Sequence, residues 1–240
     1  MSMKISVIGS SGRMGQLTIK LIEESNNLEL HSALTSKNSI SESIGADLLI
    51  DLTKPEASGA IVDYAIKNNQ RILVGTSGWT KEKIDAVGKQ IVGTSATVVI
   101  IPNFSIGSVL ATKFAAEAAK HFDAIEIIET HHIKKLDAPS GTALFTSQAI
   151  SAARGGRPAN PVTENSSAAL FNGIPITSLR LEDAHAEQEV LMAAPNESLY
   201  VKHVVTSNEV YSKGLLLAIN KTMELTGLTV GLLSLLEENN

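Results

Sequence analysis

Two adjacent imidazoles, His131 and His132, are followed by an amine at Lys135 and by the turn Pro139-Ser140-Gly141-Thr142. Imidazole is the side chain that exchanges protons near neutral pH. A Ser-Gly-Thr turn that opens a helix presents unpaired backbone N–H groups and the positive end of the helix dipole. The combination suits a small dicarboxylate that must also receive a proton. Neighbouring side chains of an extended segment point to opposite sides, so only one of the two histidines is expected to face such a substrate squarely. Lys135 reads either as a general acid or as an anion clamp, and in isolation it would be a solvated surface lysine. Ser140 reads equally as an N-cap, a role compatible with carboxylate binding at Gly141 and Thr142. Asp137 is expected to shape the loop. Paired imidazoles can ligate zinc, but no third ligand stands at metal-like spacing and a nearby lysine opposes a cation, so no metal is expected.

A second chemical signal lies at the chain start. The β-type run before Gly9 leads into Gly9-Ser10-Ser11-Gly12-Arg13-Met14-Gly15, and a helical apolar pattern follows through Leu17, Leu21 and Ile22. Glycines at this spacing permit a tight turn, backbone approach to a pyrophosphate and close helix packing. The reading is a dinucleotide site, with Arg13 either pairing with cofactor phosphate or ribose or simply solvated. The expected acidic residue at the end of the second strand is missing from Ala33-Leu34-Thr35-Ser36-Lys37. Without it a ribose phosphate meets no repulsion, and Lys37 offers a counter-charge. NADPH is therefore preferred over NADH.

These residues need elements to hold them. Strand-like and helix-like patterns alternate over the first hundred residues: strands at 4–9, 28–34, 46–52, 71–75 and 96–101, helices at 13–24, 56–68 and 81–91, and a polar loop with at most a weak helical turn at 35–43. Such alternation implies a parallel sheet covered by helices, with ligands at the carboxyl ends of the strands. Four strand ends carry small or polar residues, at 9–15, Thr53-Lys54, 75–78 and 102–104, and all four are expected on one rim. Beyond Phe104 a helix at 109–121, a strand at 124–130 feeding the His-His-Lys loop, and a helix at 141–154 are expected. A loose stretch at 163–169 follows, then antiparallel-type strands at 174–181, 189–193 and 199–205, and helices at 213–225 and 229–236. The fold class is α/β: a Rossmann-like domain over residues 1–103, completed by 209–240, and an α+β substrate domain with an open mixed sheet over 104–208.

Composition excludes other classes. The 240 residues carry 43% hydrophobic and 19% charged residues, with 20 basic against 25 acidic groups and a net charge of −5. That is a soluble globular balance without the basic footprint of a nucleic-acid or membrane-surface binder. Cysteine is absent, which removes disulfides and thiol catalysis. No apolar run reaches the roughly 18 residues of a membrane span, and no signal sequence is evident. A cytoplasmic location is expected.

The run Glu129-x-His131-His132-x-x-Lys135-x-Asp137-Ala138-Pro139-Ser140-Gly141-Thr142-Ala143 resembles the signature of the 4-hydroxy-tetrahydrodipicolinate (dihydrodipicolinate) reductase family, which serves lysine and diaminopimelate biosynthesis. The glycine turn, Gly75-Thr76-Ser77-Gly78 and Pro102-Asn103-Phe104-Ser105-Ile106-Gly107 extend the resemblance in the family's order. It implies His131 as proton donor, His132 as a substrate contact, Lys135 as a further donor and carboxylate partner, and Gly141 and Thr142 as a carboxylate site, with Ser140 beside them. It implies that Gly9, Ser10, Ser11, Gly12, Arg13, Met14, Gly75, Thr76, Ser77, Ile101, Pro102, Asn103 and Phe104 line NADPH or NADH; Lys37, as the counter-charge after the second strand, and Thr53, at its strand end, are expected to join them. It further implies a homotetramer. The stretch at 180–190 departs from the family's Gly-rich run and is acidic, and Asn208 stands where arginine is common. Two other readings remain: a dehydrogenase of another small amino or keto acid, and a non-catalytic dinucleotide sensor.

Overall fold

The structure is a computed structural model that describes residues 2–162 and 168–237. Its elements begin with β1 (Met3–Ile8), α1 (Arg13–Glu23), β2 (Leu28–Leu34), β3 (Leu48–Asp51), α2 (Pro55–Lys67), β4 (Arg71–Val74), α3 (Lys81–Gln90) and β5 (Thr97–Ile100). They continue with α4 (Ile106–Ala118), β6 (Ala124–His132), α5 (Gly141–Ala153), β7 (Ala169–Phe171), β8 (Ile174–Leu181), β9 (Ala186–Ala194) and β10 (Glu197–Val205). The chain closes with α6 (Ser212–Thr222), β11 (Gly227–Val230) and α7 (Leu232–Glu237). Of the stretch expected to be loose, residues 163–167 lie outside the described residues.

The chain divides into two units, one made of the segments up to Ile106 and from Tyr211, the other of Gly107–Val210. The first unit is a six-stranded sheet in the order β11-β5-β4-β3-β1-β2, with every pairing parallel. Strands β3 and β5 are buried along their whole length. Burial on both faces requires helix cover on both, and this is why Leu48-Leu49-Ile50 and Val98-Val99-Ile100 read as continuous apolar runs rather than alternating ones. After β1 the chain builds outward to β2 and then returns to place β3 on the other side, so β1 and β3 flank the switch point where such sheets bind ligands. The polar stretch after β2 contains only a short 3₁₀ turn, Ile40–Ser43, closed by a Ser39–Glu42 capping box.

One sequence expectation fails here. Residues 229–236 do not form a single helix: Gly227–Val230 is a strand beside β5, and the helix starts only at Leu232. Gly231, at φ +89°, separates the two, a conformation that a glycine adopts without penalty.

The second unit is a five-stranded sheet in the order β10-β9-β6-β8-β7. β6 runs parallel to β8 and antiparallel to β9, and β9–β10 is a hairpin. The sheet is therefore mixed, with β6 inserted between β8 and β9. One face packs Ile125, Ile127, Ile174, Ile176, Val190 and Met192 with Ala115, Ala143 and Ile150 from α4 and α5. β6 is longer than the sequence pattern indicates and carries both histidines inside the strand.

Candidate active site

In the first unit the rim is built by one repeated device. Each strand's ladder continues one residue into the following loop: the N–H groups of Gly9, Leu52, Gly75 and Ile101 donate to Leu34, Ile8, Asp51 and Val74 carbonyls. The four loops therefore start at one level of the sheet. Gly9, at φ +89°, has its carbon so close to β3 that a Cβ would lie 2.5 Å from the Leu52 carbonyl oxygen. A Cβ on Gly15 would lie 2.3 Å from the Gly9 carbonyl oxygen. Those two glycines are demanded by the protein itself. At Gly12 an added Cβ would meet only the Gly9 oxygen, at 3.4 Å, and the residue is exposed. Its bare backbone stands at the N-terminus of α1, which has no side-chain cap and no acidic residue in its first turn. A pyrophosphate fits that arrangement, since it needs open N–H donors, a positive helix end and no side chain in the way.

The predicted rim residues divide by exposure. Ser11, Arg13, Lys37, Ser77 and Pro102 are exposed, and Met14, Thr53, Gly75 and Asn103 are half-buried. Ser10, Thr76, Ile101 and Phe104 are buried and support the rim from within. The Ser10 hydroxyl donates to the Leu34 carbonyl, and Phe104 fills the space beside Gly75. Asp51 was not singled out by sequence, yet it organises this rim. Its fully buried carboxylate accepts from the Thr53 N–H at 3.0 Å and hydroxyl at 2.6 Å, and from the Ser58 hydroxyl. An acid closing an apolar strand just before a threonine was the available signal.

In the second unit the chemistry gathers at the carboxyl end of β6. Side chains alternate along a strand, so His131 shares a face with Glu129 while His132 points the other way. The Glu129 side chain is 0% exposed. Its carboxylate accepts from His131 Nδ1, from both terminal nitrogens of Arg180 at 3.1 and 2.9 Å, and from the Ser140 N–H at 3.2 Å. Burial pushes the Glu129 carboxyl up, but hydrogen bonds from Arg180, Ser178 and His131 outweigh it and hold the group below the usual carboxylate range. With Nδ1 committed, Nε2 is the ring nitrogen left for a substrate. His132 Nδ1 accepts from the Lys134 N–H at 3.1 Å.

Ser140 is the N-cap of α5, and its hydroxyl accepts from the Ala143 N–H at 3.1 Å. The residue is 2% exposed and its own N–H is held by Glu129, so Ser140 builds the site from inside. The free first-turn donors belong to Gly141, which is exposed, and Thr142, which is half-buried. Lys135 Nζ lies 2.8 Å from both oxygens of Asp137, with side chains 27% and 61% exposed. The Lys135 ammonium, the nearest cation, holds the Asp137 carboxyl below its usual range. Asp137 is thus a partner of Lys135 as well as a loop residue. Among the described residues no group of three His, Asp or Glu could hold a metal ion.

The sequence pattern assigns no role to Glu129 or Arg180. The i, i+2 spacing of Glu129 and His131 on a strand was a readable signal. The Arg180 contact, 51 residues away, was not.

Both units resemble known proteins. Residues 3–104 match the family described as "Dihydrodipicolinate reductase, N-terminus", and residues 107–236 match "Dihydrodipicolinate reductase, C-terminus". The 4-hydroxy-tetrahydrodipicolinate reductase of Clavibacter sepedonicus is 42% identical over 236 residues, covering 97% of this chain and 85% of that protein. Its counterpart from Mycolicibacterium vanbaalenii is 36% identical over 243 residues, covering 98% and 99%. Among solved structures, a dipicolinate-bound dihydrodipicolinate reductase from Paenisporosarcina sp. TG-14 superposes with a TM-score of 0.81 at 29% identity, covering 97% of this chain and 98% of that one.

Proposed function

The chain belongs to the dihydrodipicolinate reductase family, and from that premise we propose that it reduces 4-hydroxy-tetrahydrodipicolinate to tetrahydrodipicolinate in lysine and diaminopimelate biosynthesis. The observation that carries this reading is the end of β6 and start of α5: an imidazole with its Nε2 open, an ammonium, and a helix N-terminus with free N–H groups within a dozen residues. A bound nicotinamide supplies the hydride. The balance is one hydride and one proton in, and one water out.

His131 supplies the proton from Nε2 to the ring carbon that receives the electron pair. Gly141 and Thr142 hold one carboxylate and Lys135 holds the other edge of the ring, while His132, which leaves the opposite side of β6, touches substrate only at its far edge. Lys135 reaches substrate by exchanging Asp137 for it. That exchange is cheap, because exposed ion pairs contribute only about 0–1 kcal/mol. Holding the ring in an attack geometry is worth up to about 7–11 kcal/mol of barrier.

The first unit binds the dinucleotide along residues 9–14, Thr53, 75–77 and 101–104. NADPH is the preferred form, since the residues directly after β2, Thr35-Ser36-Lys37-Asn38, offer an exposed lysine and no carboxylate; Lys37→Glu is expected to move the preference toward NADH. The second unit holds substrate and assembles the protein into a cytoplasmic homotetramer. Leu170, Leu179, Leu181, Tyr200 and Val204 are exposed, and the strand register puts all five on the sheet face opposite α4 and α5. An apolar face of that kind favours further copies of the chain.

The test is loss of NADPH absorbance when purified protein meets substrate made in place from pyruvate and aspartate semialdehyde by the preceding synthase. Synthase-dependent oxidation is expected, and His131→Ala is expected to abolish it while still binding cofactor. A His131→Ala variant with full turnover removes the proposed proton donor. No oxidation by wild-type protein that binds cofactor turns the reading toward another small-acid dehydrogenase or a sensor.

A further inference from the structure

We infer that Glu129 and Arg180 are positioning residues for the proton donor: together they hold His131 with its proton on Nδ1 and stabilise its imidazolium, so that Nε2 alone faces the substrate. The inference rests on the reading of this chain as a reductase whose proton comes from His131.

An ionised carboxylate has no hydrogen to give. The contact between Glu129 and Nδ1 is therefore an Nδ1–H donor, whichever charge state the ring holds. In the charged state both ring nitrogens carry hydrogen, and the one on Nε2 is transferable. Once it leaves, the neutral ring remains in the Nδ1–H form and solvent restores Nε2. Glu129 stays ionised throughout, and one proton in all is moved.

Keeping a fully buried carboxylate ionised needs compensation, because burial favours its neutral form. Arg180 supplies it with a bidentate pair, the geometry that suits guanidinium and carboxylate best. The second hydrogen of each terminal nitrogen is anchored too, one to the Leu179 carbonyl at 2.6 Å and the other to the Asp137 carbonyl at 2.7 Å, while the buried Nε–H has no partner among the described residues. One side chain thus fixes the charge behind His131 and the loop that carries Lys135. The strand register places Arg180 directly beside His131 on β8 and the uncharged Ala186 beside it on β9. The groups acting on the imidazole are therefore Glu129 from β6, Arg180 from β8, the N-cap Ser140 of α5, and the Lys135–Asp137 pair of the loop that follows. Glu129, which touches the ring, dominates.

The experiment joins kinetics to nitrogen NMR on the full-length protein. In wild type, the ¹⁵N signals of neutral His131 are expected to show a protonated Nδ1 and a bare Nε2. Glu129→Gln keeps the shape and removes the charge. It is expected to lower kcat by about 10- to 1,000-fold, within the range of a lost general acid, with NADPH affinity unchanged and substrate KM little altered. Since the donor is imidazolium, kcat falls on the alkaline side. That fall is expected at lower pH in Glu129→Gln, because the charged ring has lost its partner. Arg180→Lys keeps a charge without the bidentate fit and is expected to fall between. A neutral wild-type ring protonated on Nε2 overturns the inference. So does a Glu129→Gln enzyme that loses stability and rate while its alkaline limb stays in place. If Glu129→Gln does not fold, the wild-type spectrum decides alone. If wild type fails to turn over in the synthase assay, the reductase reading fails, and the spectrum still judges the His131–Glu129 pair.

Discussion

Gly141 shows how a residue's freedom can reveal what it is for. It opens α5 without a left-handed φ, and a Cβ added there would meet nothing within 4 Å. The fold has no use for a glycine at this position, and a helix is normally firmer without one, by about 0.5–1 kcal/mol. A carboxylate approaching the first-turn N–H groups does need the space. Gly141→Ala is therefore expected to unfold at the same temperature as wild type or slightly higher, while the substrate KM rises roughly tenfold, equivalent to about 1.4 kcal/mol. An unchanged KM, read in the synthase-coupled assay, would take the carboxylate away from this helix end. At this scale the sequence was informative, because His131, Lys135 and the Ser-Gly-Thr turn announce themselves by type and local spacing. Their support did not: Arg180 reaches Glu129 only because β8 lies beside β6, and Asp51 acts through a buried carboxylate that composition cannot distinguish from a surface one.

Elements are placed by glycines of the same turn that is proposed to bind ligand, and the two roles separate by geometry. At Gly15 a Cβ would lie 2.3 Å from one backbone atom and 2.8 Å from another, so α1 would have to lift from the turn. At Gly12 the only neighbour is at 3.4 Å. Gly15→Ala is expected to lose about 1–3 kcal/mol in urea unfolding, as overpacked sites do, and to bind NADPH poorly as a consequence. Gly12→Ala is expected to keep its stability within about 0.5 kcal/mol and still to bind NADPH at least tenfold more weakly. If both variants behaved alike in both measurements, the division between packing glycine and ligand glycine would be wrong. Legibility at this scale followed the locality of the forces. β2 and β8 were readable to the residue because alternation and flanking turns are encoded within each strand. β11 was not. Thr229 and Val230 belong to an apolar run that suits a helix equally well, and only pairing with Thr97–Ile100, more than a hundred residues earlier, makes them a strand.

At the scale of the whole molecule, charge and apolar surface set the conditions under which the fold persists. Glu129 has its folded-state pKa held below the ordinary value of 4.5. Its contribution to stability is therefore fully present above that value and is lost as pH falls through the folded pKa. Arg180→Met removes the main compensation and leaves burial in charge, which reverses the sign. The variant is expected to be about 3–5 kcal/mol less stable than wild type at pH 7 and to recover part of that deficit at pH 5, where Glu129 takes up a proton. Urea unfolding at the two pH values reads this directly, and a deficit independent of pH would mean that Arg180 acts by packing alone. The proposed assembly rests on the open face of the second sheet. Leu179 and Leu181 on β8 and Tyr200 and Val204 on β10 expose apolar surface, and the charges among them are already paired, Lys202 with Glu187 at 2.6 Å and with Glu189 at 3.5 Å. One ammonium against two carboxylates leaves that cluster a charge of −1, so the apolar residues around it, and not the ions, favour the loss of water from this face. Leu179→Glu combined with Tyr200→Glu puts new, unpaired charge on that face without touching the core beneath it. Sedimentation is expected to show wild type as a tetramer and the double variant as smaller species that still bind NADPH. A double variant that stayed tetrameric would assign assembly to another surface and leave this face to a different partner.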